Sequence, residues 1–153
     1  MQLLLPPNIQ RELSMHLARG GTQEIGGVLM GQNVSPNVFR VIEITCQYHG
    51  GSFAYFLRSI VDIVAPLRRF FKKTNNKYRE FNYLGEWHSH PSFALMPSAT
   101  DFDSMQCLVE DTSVGANFAV LLLVKLTESE QLGANTILFL PQLSPVVVET
   151  IFE

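Results

Sequence analysis

Apolar and polar positions alternate along the chain with two different periods. Ile9, Leu13 and Leu17 recur every four residues, which predicts a helix over Asn8–Ala18 with Asn8 as its N-cap. His16 falls on or beside that stripe, and Arg19-Gly20-Gly21 stops the helix. Glu24–Gln32 and Val38–Cys46 read as two strands joined by the turn Asn33-Val-Ser-Pro-Asn37, a hairpin. Cys46 reads as a small buried hydrophobe. Tyr48–Ser52, with His49, reads as an exposed loop, and Phe53–Phe56 as a short strand. Leu57–Lys73 has helical spacing through Ile60, Ile63, Val64, Leu67, Phe70 and Phe71. Pro66 predicts a kink or a division there. Arg68, Arg69, Lys72 and Lys73 suit the negative end of that helix and read as a solvated face.

Phe81–His88 reads as a further strand, and Ala99–Glu110 as a helix with Phe102, Met105, Leu108 and Val109 at helical spacing. Phe118–Lys125 is almost wholly apolar, as in a strand covered on both faces. Thr127–Gly133 is a polar turn, and Thr136–Leu140 and Val146–Phe152 are predicted strands. This order points to an α/β fold, a mixed sheet with helices packed against it, in one domain spanning 1–153.

Composition narrows the class. With 46% apolar and 16% charged residues, the chain can bury a core and is not of the disordered type. A net charge of −3 gives no electrostatic reason to expect nucleic acid or an anionic membrane as partner. Two cysteines, Cys46 and Cys107, are too few for a disulfide framework and fit a reducing compartment. The apolar start, Met1–Pro7, is short and lacks a basic region, so it does not read as a signal peptide. No apolar run approaches the ~20 residues of a membrane span. The expectation is a cytoplasmic protein.

The chemistry concentrates between Gly85 and Asp103. His88 and His90 are two apart at a strand end, so they share a face, and Pro91 ends the strand. Ser98 and Asp101 stand three apart where the next helix begins, as neighbours on its first turn. Two imidazoles and one carboxylate with an open fourth position are the ligand set of a catalytic zinc site. Separately, each piece has an ordinary structural reading: Ser-x-x-Asp before an apolar run is a capping box. Cys107 lies nearly two turns down the helix, too far along to complete a closed site. Glu86, two residues before His88, should share its face, either orienting an imidazole or acting as a base. Trp87 and Ser89 should face the other way, Trp87 in the core and Ser89 in a structural role. Gly26 and Gly27 are costly inside a strand unless another backbone or a ligand comes close.

Taken together, His-x-His-Pro, six further residues and Ser-x-x-Asp, preceded by Glu24-Ile-Gly-Gly-Val-Leu-Met-Gly31, strongly resemble the signature of the JAMM (MPN-plus) metalloprotease family. The resemblance covers essentially the whole chain. It implies a curved mixed β-sheet flanked by helices, the JAMM/MPN, cytidine deaminase-like fold. It further implies one Zn2+ per chain held by His88, His90 and Asp101. Glu24 would be the base that takes a proton from water and delivers it to the leaving amine, and Ser98 a donor to the oxyanion. Glu24 is preferred over Glu86 as base because it occupies the family position.

Proteins of that family cleave peptide or isopeptide bonds, often where a ubiquitin-like C-terminus joins a lysine. The wording Gly-Glu-Trp-His-Ser-His-Pro looks like the prokaryotic branch. Its members often accompany E1-like and E2-like proteins and ubiquitin-like modifiers, including in antiviral defence. The expected partner is a ubiquitin-like protein or its conjugate, bound as an extended segment beside a sheet edge. A peptidase releasing a sulfur carrier or trimming small peptides shares this chemistry. A non-catalytic MPN-minus scaffold would lack the ligands present here. A nucleobase deaminase would need His-x-Glu and Pro-Cys-x-x-Cys, which are absent from the sequence. A cysteine peptidase built on Cys107 would leave Glu24, Ser98 and Asp101 unexplained.

Overall fold

The computed structural model describes residues 1–48 and 60–153, with the side chains of 60–63 excepted. The readings of His49 and of a strand over Phe53–Phe56 fall outside the described residues. In chain order the elements are β1 (Gln2–Leu5), α1 (Pro7–Gly20), β2 (Gly26–Ser35), β3 (Val38–Ile44), α2 (Ile60–Lys73), β4 (Phe81–Ser89), α3 (Ala99–Glu110), β5 (Ala119–Leu126), β6 (Leu132–Phe139) and β7 (Val146–Phe152). The strands pair in the order β1-β3-β2-β4-β5-β6-β7, and β7 returns to β1, closing a barrel.

Closure depends on a strand that periodicity did not predict. Gln2–Leu5 is only four residues long, too short to show a period. It runs parallel to β3 on one side (Gln2↔Val38, Leu4↔Arg40) and to β7 on the other (Gln2↔Glu149, Leu5↔Phe152). The curved sheet expected from the sequence is therefore closed on itself. The central strand β4 lies antiparallel to β2, with Gly26 opposite His88, and parallel to β5, with His88 opposite Leu123. Helix α3 makes the β4-to-β5 crossover that parallel pairing demands.

The apolar strand β5 divides its side chains between two cores. Val120, Leu122 and Val124 pack with Leu3, Leu5, Trp87 and the α1 stripe Ile9, Leu13 and Leu17. Ala119, Leu121 and Leu123 pack on Met105 and Val109 of α3 and on Phe139. Each buried leucine contributes about 1.5–3 kcal/mol over an exposed one, so β5 anchors both layers. Phe70 of α2 covers Val28 and Met30.

Several local expectations shift. Helix α1 starts at Pro7, with Pro6 rather than Asn8 at the N-cap; proline's fixed φ suits the first helical position, where its missing N–H costs nothing. Helix α2 runs through Pro66 as one element, Ile60–Lys73. Cys46 is only half-buried, packed at the margin of the α1 core. Strand β6 begins at Leu132, so the polar turn before it is shorter than predicted.

Candidate metal centre

Strand β4 ends where the chemistry begins. The His90 amide donates to the Val124 carbonyl at 2.9 Å, extending the β4–β5 ladder by one residue. Pro91 then turns the chain into residues 91–98. That loop is tied to the sheet twice: Lys125 Nζ donates to the Phe93 carbonyl at 3.1 Å, and Asn135 Nδ2 to the Leu95 carbonyl at 2.7 Å. Ser98 caps α3 with a full capping box. Its Oγ accepts from the Asp101 amide at 3.1 Å, and its own amide donates to Asp101 Oδ2 at 2.8 Å. The Ser98 hydroxyl also donates to Oδ2 at 2.8 Å. The cap fixes the Asp101 carboxylate at the first turn, facing the strand end.

Asp101 is thereby set between the two imidazoles. Its Oδ1 lies 3.2 Å from His88 Nδ1, and its Oδ2 lies 3.7 Å from His90 Nε2. The other nitrogen of His90 meets the Ala94 carbonyl at 3.1 Å, and the other nitrogen of His88 lies 3.8 Å from Glu86 Oε2. Glu86 is 1% exposed, and Tyr83 donates to its Oε1 at 3.4 Å. Among the described residues no three His, Cys, Asp or Glu side chains form a ready-made cage. What is present is an open set of donors. Neighbouring ligands of a tetrahedral ion with bonds of ~2.0–2.1 Å are about 3.3 Å apart, and the two Asp101–imidazole distances bracket that spacing.

The electrostatics follow from the crowding. Burial alone would lift the Asp101 carboxyl, but hydrogen bonds from His88, His90 and Ser98 hold it well below the ordinary carboxylate range. Burial opposes charge on His88, yet Asp101 and Glu86 push it up to about 9. His90 is raised chiefly by Asp101, with burial opposing and the charge of Glu24 adding to the rise. Glu86 is raised by burial, against the pull of His88 and Tyr83. The cluster is an acid-base network in which each imidazole faces a carboxylate.

Glu24 precedes β2 rather than opening it, and it is exposed. Its backbone is nevertheless fixed. Buried Ser89 accepts from the Ile25 amide at 2.8 Å through Oγ, donates to the Gln23 carbonyl at 3.3 Å, and donates its own amide to the Ile25 carbonyl at 2.8 Å. Ser89 thus straps the residues on either side of Glu24 to the strand end. Gly26 follows because nothing larger fits: a Cβ there would stand 2.6 Å from the Trp87 carbonyl and 2.9 Å from His88 Cδ2.

The structure thus gathers His88, His90 and Ser98 around Asp101, with Glu86 beside His88 and the charge of Glu24 acting on His90. Trp87 lies in the core, donating to the Thr45 carbonyl at 2.8 Å. Cys107 is exposed, and its carbonyl accepts from the Asp111 amide at the far end of α3. Sequence reading missed Tyr83. Strict alternation would place it on the Trp87 face, but a register shift between Leu29 and Met30 of β2 opposes Gly85 and Tyr83 and skips Leu84. The bulge puts Tyr83 on the Glu86 side, and the signal available was a glycine, Gly85, inside a strand.

Comparison with known proteins bears on the fold and the family. The solution structure of protein DSY2949 from Desulfitobacterium hafniense resembles the chain with a TM-score of 0.66 at 18% identity, over 99% of this chain and 92% of that one; at that identity the likeness is one of fold. No curated protein matches the chain. The family described as prokaryotic homologs of the JAB domain, Prok-JAB, matches residues 6–132. The fold, the neighbour and this match over most of the chain lead to one assignment: the chain belongs to the family of prokaryotic JAB-domain homologs.

Proposed function

We propose that the domain is a zinc-dependent peptidase that hydrolyses the bond after the C-terminus of a ubiquitin-like modifier, by deconjugation or precursor maturation. One observation carries the reading: the α3 capping box sets the Asp101 carboxylate between His88 and His90. The donor chemistry fits the ion, since two imidazoles and a carboxylate suit zinc and leave a position open. His88, His90 and Asp101 would hold it. When bound, zinc lowers the pKa of a coordinated water from ~15.7 to ~7.

The chain's own groups supply the rest. Glu24, exposed and with its flanking backbone held by Ser89, would accept a proton and pass it to the leaving amine. The Ser98 hydroxyl donates to Asp101 Oδ2 and can turn to a developing oxyanion, where one such donor is worth on the order of 10²–10³ in rate. Glu86 orients His88 from behind. Both cysteines are free, in keeping with a reducing cytoplasm, and no helix among the described residues is long and apolar enough to cross a membrane.

A second reading, release of a sulfur carrier or hydrolysis of small peptides, shares this chemistry. It is favoured by the pairing of β4 with both β2 and β5. Among the described residues no free strand edge flanks His88, so the expected addition of an extended substrate to a sheet edge is not met there.

Metal content of the purified protein beside His88→Ala tests the proposal. About one zinc per chain, lost in the variant, supports a hydrolase; ubiquitin-like fusions are then screened for cleavage that a chelator stops. A wild type that takes up no zinc after reloading overturns the reading in favour of a scaffold.

A further inference from the structure

Behind the Asp101 cluster, with Tyr83 and Glu86 in its lining, α2 and the loop after α3 face each other across β4 and enclose a concavity of about 680 Å³, within the size range of ligand-binding pockets. Leu67 and Phe71 of α2 line one side, Leu108 and Phe118 the other, and Arg79, Glu80 and Asn82 complete the lining, Glu80 being paired with Lys77. Tyr78 stands there 54% exposed, its ring edge-on to Phe71 at 4.9 Å.

The lip is the most basic stretch of the molecule. Residues 68–79 hold six of the eleven Lys and Arg and no acid; the rest of the chain carries five cations against fourteen acids. Lys73 pairs with Glu43, and Lys77 with Glu80. Arg68, Arg69, Lys72 and Arg79 are exposed and form no ion pair among the described residues. Lys72 complements the negative end of α2, but Arg68 and Arg69 precede the last turn and Arg79 lies beyond the helix, so the helix dipole accounts for none of the three. On helical geometry Arg68 and Lys72 flank the Leu67–Phe71 ridge that walls the concavity.

From this apolar concavity with a cationic lip, on a chain otherwise strongly acidic, we infer a docking site for a short acidic segment of a partner protein, one large apolar side chain seated between Phe71 and Phe118 and its flanking Asp or Glu meeting Arg68 and Arg79. The acidity of the remaining surface selects against a long polyanion such as nucleic acid, which would meet repulsion beyond the lip. An apolar cleft with a charged rim gives orientation and fast encounter together.

The concavity takes none of its lining from His88, His90 or Asp101, and docking is tested on the whole chain with a fluorescein-labelled 12-residue peptide of Glu and Asp around a central Phe-Leu pair, read by fluorescence anisotropy. The expected result is saturable binding that weakens several-fold between 50 and 200 mM salt. It should fall at least tenfold in Arg68→Glu/Arg79→Glu, and also in Asn117→Trp, which fills the concavity from its exposed rim. Charge reversal at Arg11, on α1, leaves binding unchanged. Equal affinity for a peptide with Lys in place of the acids, loss in Arg11→Glu as large as at the lip, or indifference to Asn117→Trp overturns the inference. So does tighter binding of single-stranded DNA of the same length.

Discussion

Asp101 Oδ1 lies 3.2 Å from His88 Nδ1 while Oδ2 of the same carboxylate takes hydrogen bonds from the Ser98 amide and hydroxyl. One side chain closes a helix and faces an imidazole. Asp101→Ala should therefore lose zinc and also about 1 kcal/mol of cap energy, or roughly 2–4 °C in Tm. Asp101→Asn, which still accepts from the Ser98 amide, should lose zinc while melting closer to wild type. Metal analysis and thermal melts on the two variants separate the roles. Equal melting temperatures for Ala and Asn would show that the cap contributes nothing measurable.

Two carboxylates compete for the part of base, and burial distinguishes them. Glu24 is exposed and Glu86 is 1% exposed behind His88. Glu24→Ala should keep both zinc and stability and abolish turnover. Glu86→Gln should keep the fold and weaken zinc binding about 10–100-fold, as loss of a ligand-orienting partner does. The assignment reverses if Glu86→Gln abolishes turnover at full zinc occupancy while Glu24→Ala does not.

The raised His88 gives the metal-free protein a defined pH profile. Its folded pKa, pushed up to about 9, exceeds the ordinary ~6.5. Its contribution is thus complete below about pH 6.5 and lost as pH rises through 9. Asp101 is lowered, so its contribution is present above the ordinary ~3.9 and disappears only as pH falls further. Urea unfolding in chelator should show stability declining from pH 6 to 9.5 and flattening in His88→Ala. Zinc must displace the His88 proton, so its affinity should rise over the same interval.

Gly27 tests how tightly the site is backed. A Cβ there would overlap the Thr45 carbonyl and approach Trp87 Nε1. Gly27→Ala should cost about 1–3 kcal/mol through forced backbone shifts, measured as a lower urea midpoint. Gly21→Ala offers the contrast: no atom lies within 4 Å of its Cβ, and its cost is confined to the positive φ of 58°.

The cysteines should differ in reactivity. Burial pushes the Cys46 thiol up to about 11, against the opposing pull of Tyr48 and Arg19. At pH 8 that leaves about one thiolate in a thousand, while Cys107 is exposed. Iodoacetamide at pH 8, followed by peptide mass analysis, should label Cys107 and spare Cys46 until the pH passes 10.

The site residues were readable because their chemistry is local. Ser98 and Asp101 are three apart on one helix turn and His88 and His90 two apart on one strand, so spacing alone predicts which side chains are neighbours. Periodicity likewise located α3 and β7 with the bounds observed. What escaped it depends on distant partners. Gln2–Leu5 is a strand only because β3 and β7 flank it. Tyr83 meets Glu86 only because β2 imposes a bulge. The grip of Ser89 on the backbone around Glu24 joins residues more than sixty apart. Nothing within a few residues of these positions encodes them, apart from the glycine at 85.

The pairing of β1 with β7 also governs when this domain can mature. Leu5 and Phe152 are register partners, so a strand made first waits for one made nearly 150 residues later. At about 5–20 residues per second, that delay is on the order of ten seconds on the ribosome. Throughout it Leu3 and Leu5, both fully buried in the finished barrel, lack β7 as a partner strand. The hairpin that follows Glu24 can form long before, but the barrel closes only once Val146–Phe152 has been made, and a nascent chain halted ahead of Val146 would hold every ligand of the candidate centre on a sheet still open at one seam.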